Sequence, residues 1–301
     1  MTQSHLSVLK AEVVEAFEGL RIETFFEGTL GAGGHAKAIL EKHPEIKQYL
    51  GCDRDPHALS LAETRLDPWK EKIDLIRGSY SNIEKFLDER KIDQIDGFLI
   101  DIGVSSMQLD EKDRGFSFRF TGPLDMRMDP EALLTAEQIV NEYSRQELER
   151  IFWEYGEERG SRRAAEAIVN ARKKKRIETT EELVNIVKPV LHWGKMHPAT
   201  LIFQALRIEV NDELGELEKG IQGAINRLKS GGRIAVISFH SLEDRIVKHR
   251  FKELEYKPSK KGRDETGVLK ILTKKPQIPL DEEIRMNPRS RSAKLRGAEK
   301  V

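Results

Sequence analysis

Short apolar strands alternate with helical segments over the first hundred residues, and this alternation constrains the fold more than any other feature. Apolar patterns predict strands at 22–27, 49–52, 73–77 and 97–100. Helical patterns are predicted at 9–20, 35–42, 56–65 and 83–90. Strands that alternate with helices form a parallel sheet covered by helices on both faces. The sequence therefore predicts an α/β fold.

The alternation stops at Asp101, and no strand pattern follows until about residue 213. The segment instead has the apolar spacing of helices at 136–143, 145–155, 162–172, 180–191 and 199–217. We expect residues 106–212 to form a mostly helical inserted subdomain. Its small core is predicted to include Ile151, Phe152, Trp153 and Ile168.

A turn at 228–233 and an apolar strand at 234–239 resume the sheet pattern. Residues 1–105 and 213–301 are therefore predicted to form one discontinuous sheet domain around the insertion. A further segment, 256–267, offers little apolar surface to bury and is predicted to be a mobile loop.

The composition excludes several classes of protein. Charged residues make up 34% of the 301 residues, and no segment approaches the roughly 20 apolar residues that span a bilayer. The N-terminus lacks the pattern of a secretory signal, so we expect a soluble, cytoplasmic protein. With one cysteine and scattered histidines, neither a disulfide nor a metal site is predicted.

The glycine-rich run at 27–35 is the first candidate ligand site. It follows the first predicted strand and opens a helix, and glycines let the backbone approach a ligand closely. The stretch from Gly31 to Ala36 also fits the dinucleotide fingerprint G-x-G-x-x-G/A, so a nicotinamide cofactor is one interpretation. A tight structural turn is the alternative.

Acidic and aromatic residues at the ends of the next strands strengthen the ligand interpretation. Asp53 lies 20 positions after Gly33, where a carboxylate can accept hydrogen bonds from both ribose hydroxyls. Asp55 is better explained as the N-cap of the next helix. Tyr80 and Asp101 follow the third and fourth strands, at the same edge of the sheet. Tyr80 is suited to stacking on an adenine, whereas Asp101 would hold an amino group, orient a substrate or cap a turn.

The glycine loop and the turn at 228–233 resemble those of class I, Rossmann-like methyltransferases, which favours that class over a dehydrogenase. Methyl transfer from a sulfonium mainly requires in-line positioning, so it needs no catalytic His or Cys. A methyltransferase for a small molecule, an NAD-dependent oxidoreductase and a non-catalytic RNA-binding protein remain the rival interpretations.

Longer motifs make the resemblance specific. They lie at 33–35, 53–56, 101–110, 114–118, 122–128, 155–159, 197–200, 203–208 and 238–245. In this order they resemble the RsmH family, also called MraW, from about residue 5 to residue 296. That family methylates N4 of a cytidine in the decoding region of 16S ribosomal RNA. The resemblance therefore implies S-adenosylmethionine as the methyl donor and 16S rRNA, or the small ribosomal subunit, as the partner.

The resemblance also implies a set of donor-binding residues in this chain: Gly33, Gly34, His35, Asp53, Tyr80, Asp101 and Gln108. Many amino-methyltransferases carry a Pro-Pro-aromatic motif where this chain has Val104-Ser105-Ser106. The group that accepts the proton of the target amine is therefore open. Asp101 is the candidate catalytic residue.

Two features suggest contact with RNA. Phe116, Phe118 and Phe120 alternate as in a strand beside two arginines, a combination suited to stacking on bases, although core packing is the more common explanation. Residues 245–275 carry eleven Lys/Arg against four Asp/Glu, and 287–301 carry five against one. This basic C-terminus either binds phosphates or is a solvated tail. His240 and Glu243-Asp244 either line the substrate side or cap the next helix.

Overall fold

The computed structural model describes residues 7–194, 197–258 and 266–301. The chain divides into two compact units, the first comprising residues 1–103 and 214–301 and the second residues 104–213. The loop predicted over 256–267 lies partly outside the described residues. At its two ends, Lys257 and Thr266 form an isolated antiparallel bridge.

The first unit is built on one twisted sheet. Its described strands are β1 (Thr24–Glu27), β2 (Gln48–Asp53), β3 (Ile73–Arg77), β4 (Ile95–Asp101), β5 (Leu228–Ser238), β6 (Leu269–Ile271) and β7 (Lys294–Lys300). The spatial order is β3-β2-β1-β4-β5-β7-β6. The strands β1 to β5 run parallel, and β7 is antiparallel to both of its neighbours. The carboxyl ends of β1 to β5 therefore lie along one edge.

Helices pack against this sheet. In the first unit they are α1 (Lys10–Ala16), α2 (Gly34–Lys42), α3 (Pro56–Leu66), α4 (Ile83–Glu89), α11 (Glu213–Arg227), α12 (Ser241–Glu253) and α13 (Asp281–Met286). Alternate side chains of β1 enter two different apolar clusters: Phe25 stacks on Tyr49 in one, and Phe26 stacks on Phe98 in the other. Successive side chains of a strand point to opposite faces, so both faces of the sheet are buried.

The second unit is helical, as expected, and its described residues contain no strand. Its helices are α5 (Ser106–Asp110), α6 (Ala136–Glu142), α7 (Arg145–Glu154), α8 (Ser161–Arg172), α9 (Thr180–Val187) and α10 (Ala199–Asn211). Ile151, Phe152 and Ile168 are fully buried in its core. The placement of Trp153 in this core was wrong: its side chain is 58% exposed, because one residue further along α7 rotates the side chain away from the buried face.

Two predicted boundaries are wrong. The single helix over 199–217 is broken at Asp212, whose left-handed backbone (φ 48°) ends α10. The turn predicted over 228–233 lies within β5 instead: Leu228 pairs with Ile95, the register then shifts because residues 229–232 of β5 lie opposite a single residue of β4, and regular pairing begins at Arg233. A bulge of this kind lets the chain pass from helix to strand without a separate loop.

No helix in the described ranges is long and apolar enough to cross a membrane.

Candidate active site

The glycine-rich loop between β1 and α2 is fixed by backbone hydrogen bonds to both neighbouring strands. Gly28 N donates to Leu99 O of β4 at 2.8 Å, and Leu30 N donates to Cys52 O of β2 at 2.9 Å. Gly33 has φ +74°, a conformation that L side chains rarely adopt, and α2 begins at the next residue. A Cβ atom on Gly28 would lie 2.6 Å from the Cβ of Tyr80. The loop therefore passes too close to Tyr80, after the end of β3, to accept a side chain at position 28.

Asp53, at the end of β2, holds this loop in place. Its Oδ2 accepts a hydrogen bond from Gly31 N at 2.8 Å, and its Oδ1 accepts one from Asp55 N at 2.9 Å. Burial raises the pKa of Asp53, although the two N–H donors oppose the shift. The anchoring of the loop is a role that the sequence did not reveal. The ribose contact remains a prediction.

The interpretation of Asp55 as a helix cap is confirmed. Its Oδ1 accepts a hydrogen bond from His57 N at 3.0 Å at the start of α3.

A buried group of titratable side chains lies beneath the loop. His35 Nε2 lies 3.6 Å from Asp101 Oδ2, and the two side chains are 6% and 24% exposed. Burial disfavours the charged imidazolium, but the facing Asp101 carboxylate outweighs it, so the pKa of His35 is raised. The Oδ1 atom of Asp101 is buried and has no hydrogen-bond partner within the described part of the chain. His35 and Asp101, both predicted as site residues, are thus brought together.

Glu27 is a further member of this group, which the sequence analysis missed. It is fully buried at the end of β1, and Tyr49 Oη donates to its Oε2 at 2.6 Å. Burial raises the pKa of Glu27 to about 8, with nearby His35 and the Tyr49 hydrogen bond opposing the shift. The available signal was an acidic residue at the end of an otherwise apolar strand, directly before the glycines.

Thr29 connects the loop to β4. Its Oγ1 accepts a hydrogen bond from Asp101 N at 2.6 Å. The backbone of Asp101 is therefore fixed by the same loop that carries Gly33 and Gly34. This places the candidate catalytic carboxylate at a defined point on the sheet edge.

Tyr80 lies directly after β3 in a short 3₁₀ turn, Tyr80–Asn82, and is 8% exposed. A Cβ atom on Gly28 would lie 2.6 Å from its side chain, and one on Gly220 of α11 would lie 2.3 Å from it, so both would overlap it sterically. The aromatic side chain thus borders the glycine loop, as expected of a residue at the same edge. Its stacking on an adenine stays a prediction.

Gln108 belongs to the second unit. Its Oε1 accepts a hydrogen bond from Ser105 N at 3.0 Å, and its own N–H donates to Ser105 Oγ at 3.2 Å, which completes a capping box at the start of α5. This hydrogen bonding explains the residue locally. Its role in methyl-donor binding stays a prediction.

The capping interpretation of the residues after β5 is confirmed. His240 is the N-cap of α12, and Glu243 Oε2 accepts a hydrogen bond from Phe239 N at 2.7 Å. Asp244 binds two cations of β7, Arg296 Nε at 2.7 Å and Lys294 Nζ at 3.2 Å. Asp244 therefore joins α12 to β7, and His240 and Glu243 cap the start of the helix.

The C-terminal basic run is not a solvated tail. Residues 294–300 form β7 in the interior of the sheet, and Arg296 is only 7% exposed. Lys300 Nζ donates to Ile225 O at 2.8 Å. Three of the five cations counted in this run are therefore engaged within the fold, and Arg291 is the one of the five that is exposed.

Residues 116–120 form loop and turn rather than a strand, despite their strand-like alternation of phenylalanines. Phe116 is buried in the helical core, and the Phe118 ring meets Phe203 edge-on at 5.1 Å. Of the three phenylalanines, Phe120 alone is substantially exposed, at 49%. Core packing therefore accounts for Phe116 and Phe118.

Comparison with known proteins identifies relatives over the whole chain. Residues 2–301 match the MraW methylase family. Ribosomal RNA small subunit methyltransferase H of Protochlamydia amoebophila is 53% identical, over 99% of this chain and 97% of its own length. The protein of that name from Persephonella marina is 48% identical, over 99% of each. A solved rRNA methylase from Streptococcus thermophilus is similar with a TM-score of 0.44 and 12% identity, covering 97% of this chain and 93% of its own.

The parallel sheet, the glycine loop after β1 and the acidic residue at the end of β2 are shared by Rossmann-like folds, and together with the methyltransferase relatives they define a class I, S-adenosylmethionine-dependent methyltransferase. The chain belongs to the MraW methylase family. The resemblance noted in the sequence is therefore confirmed, and the interpretation as an NAD-dependent oxidoreductase is set aside.

Proposed function

We propose that this chain transfers a methyl group from S-adenosylmethionine to the exocyclic N4 of a cytidine in the decoding region of 16S ribosomal RNA. The relatives with 45–53% identity over nearly the whole chain carry the name ribosomal RNA small subunit methyltransferase H. The observation that carries the choice of an amine is the unpartnered, buried Oδ1 of Asp101 at the end of β4. A carboxylate oxygen in that position is suited to accept an N–H hydrogen bond.

The residues around the loop fit the methyl donor. The loop backbone borders open space at Gly31, where an added Cβ would meet no described atom within 4 Å, and the Asp101 carboxylate suits the donor's ammonium or the target amine. The proposed donor-binding set is Gly33, Gly34, His35, Asp53, Tyr80, Asp101 and Gln108. When bound, S-adenosylmethionine supplies an electrophilic methyl on a sulfonium, a good leaving group.

Asp101 has the central chemical role in this proposal. The N4 lone pair of cytosine is delocalised into the ring, so attack requires the nitrogen to become pyramidal. An N–H hydrogen bond to Asp101 favours that geometry, and the carboxylate takes up the proton as the N–CH₃ bond forms and the S–CH₃ bond breaks. His35, 3.6 Å from Asp101, orients the carboxylate and balances its charge.

The proposal predicts that the purified protein forms N4-methylcytidine in 16S rRNA. We would supply unmethylated 16S rRNA or small subunits with S-adenosylmethionine, then digest the RNA and identify the methylated nucleoside by mass spectrometry. Comparison of the two RNA substrates reveals which one is used. Methylation at C5 of a pyrimidine, or methylation of small amines with none of the RNA, would contradict the proposal.

We also propose that the helical second unit, including the predicted span 106–212, holds the RNA substrate. An aromatic ladder supports this: the Phe118 and His197 rings stack at 4.7 Å, and Trp193 meets His197 edge-on at 5.2 Å. Trp193 is 56% exposed at the end of this ladder, with Lys188 Nζ 5.4 Å from its ring centre. An exposed ring backed by other rings and a cation is suited to stack an unpaired base.

Replacing Trp193 with Ala is expected to weaken 16S rRNA binding by about 5- to 100-fold, since stacking on one base contributes about 1–3 kcal/mol. Filter binding with a 16S rRNA fragment measures it. Trp153→Ala is the matched control, because Trp153 is equally exposed and makes no ring contact among the described residues. Equal affinities for the two variants would exclude Trp193 from the RNA site.

Action on ribosomal RNA further implies a cytoplasmic location.

A further inference from the structure

One carboxylate of helix α11, that of Glu216, binds the segment that directly follows β3. Ser81 Oγ donates to Glu216 Oε2 at 2.7 Å, and Ser79 Oγ donates to the same oxygen. Arg54 forms an ion pair with this Oε2 as well, and its Nη2 donates to Ser79 Oγ at 2.8 Å. Glu216 therefore gathers groups from the loops after β2 and β3 around one atom.

The charge state of Glu216 is consistent with this arrangement. Burial would raise the pKa of Glu216, but the hydroxyls of Ser79 and Ser81 and the Arg54 guanidinium outweigh it, so the pKa is lowered. The side chain is 16% exposed. Glu216 is thus an anion held by several hydrogen bonds, which are stronger than bonds between neutral groups.

One helical turn further along α11, Gly220 lies against the Tyr80 ring, and a Cβ atom added there would overlap the ring. The same helix therefore contacts the segment 79–81 twice, through the Glu216 carboxylate and through the bare backbone at Gly220. Residues four positions apart lie on the same helical face, so both contacts come from one side of α11. Gly220 of α11 and Gly28 of the glycine loop therefore both lie against the Tyr80 side chain and restrict its position.

The groups that Glu216 gathers are sequence neighbours of proposed methyl-donor ligands. Arg54 follows Asp53, and Ser79 and Ser81 flank Tyr80. We propose that Glu216 is a positioning residue that sets the adenosine-binding loops after β2 and β3 before the methyl donor arrives. This inference rests on the proposed donor-binding roles of Asp53 and Tyr80.

Glu216→Gln tests the inference. Glutamine is similar in size and keeps one acceptor oxygen but loses the charge, so the ion pair with Arg54 is lost and the hydrogen bonds from the two serines weaken. Because the loops are then no longer held in place before binding, we expect affinity for S-adenosylmethionine to fall about tenfold, which corresponds to about 1.4 kcal/mol. Calorimetry would use S-adenosylmethionine and 5′-methylthioadenosine, which lacks the amino-acid part. Both affinities should fall by the same factor, and kcat at saturating donor should be unchanged.

Glu218→Gln is the matched control, because Glu218 is an exposed residue on the same helix. Melting curves without donor report folding of each variant. If Glu216→Gln does not fold, the double variant Ser79→Ala/Ser81→Ala removes two donors to the same oxygen and should give the same loss of affinity. Unchanged affinity in a folded variant overturns the inference, as does a loss for S-adenosylmethionine alone.

Asp53→Ala, measured in parallel, distinguishes a failure of the proposed adenosine site from a failure of the positioning role of Glu216. If it also leaves affinity unchanged, the proposed adenosine site is wrong. If it weakens binding while Glu216→Gln does not, the site stands and only the positioning role of Glu216 fails.

Discussion

The Asp101→Asn variant is expected to bind the methyl donor more weakly but still to be saturable with it, and at saturating donor to transfer the methyl group about 10²–10⁴-fold more slowly, the range for loss of a positioned general base. Asparagine keeps the size and one acceptor oxygen of Asp101, so the Thr29 hydrogen bond to the Asp101 backbone can persist. The amide, however, cannot take up the amine proton. Single-turnover methylation of 16S rRNA at saturating donor measures the chemical step directly.

Asp93→Asn is the control for this variant, because Asp93 is an exposed aspartate that lies just before β4 begins, at the end of the strand opposite to Asp101. It should leave both donor affinity and the rate unchanged. If Asp101→Asn reduced the rate by less than about threefold with donor affinity intact, another group would have to accept the proton. A loss confined to donor affinity would restrict Asp101 to methyl-donor binding.

The sequence alone predicts that these residues lie on one edge of the sheet, because the carboxyl ends of parallel strands meet at the same edge. Chain order and strand ends suffice to put Gly33, Asp53, Tyr80 and Asp101 on one edge, and the structure has them at the ends of β1 to β4. The cap at Asp55 followed in the same way from local rules. Such inferences depend on nearest neighbours in the chain.

Contacts between distant segments could not be predicted. Glu216 meets Ser81 across 135 positions, and Arg296 meets Asp244 across 52. A charge count recognises Arg296 as basic but cannot show that an acid lies opposite it in the fold. The role of β7 was missed for this reason, and the basic run was interpreted as an RNA-binding or solvated end.

Side-chain direction was a second source of error. Trp153 lies within an apolar helical pattern, yet its neighbours Ile151 and Phe152 already fill the buried face of α7. The alternation of Phe116, Phe118 and Phe120 likewise resembles a strand, but a turn separates Phe116 from Phe120. A short apolar pattern has several geometric solutions, and only packing against the rest of the unit selects one.

The Asp53→Ala variant is expected to bind S-adenosylmethionine about ten- to a hundredfold more weakly. Loss of charge-assisted hydrogen bonds to the ribose corresponds to about 1.5–3 kcal/mol. The structure adds a second reason, because Asp53 also accepts hydrogen bonds from Gly31 N and Asp55 N. Without the carboxylate, the glycine loop loses its anchor on β2. Calorimetry with S-adenosylmethionine measures the affinity, and thermal melting without ligand measures the stability.

Asp55→Ala separates these two reasons. Asp55 is a buried carboxylate two positions away, and it caps α3 through His57 N. Its removal should destabilise the protein by about 0.5–2 kcal/mol, the usual effect of losing an N-cap, with little change in affinity. If Asp53 contacts the methyl donor, Asp53→Ala should lose much more affinity than Asp55→Ala, even where the two variants lose the same stability. Equal affinities in the two folded variants would reduce Asp53 to a structural anchor of the loop, with no contact to the methyl donor.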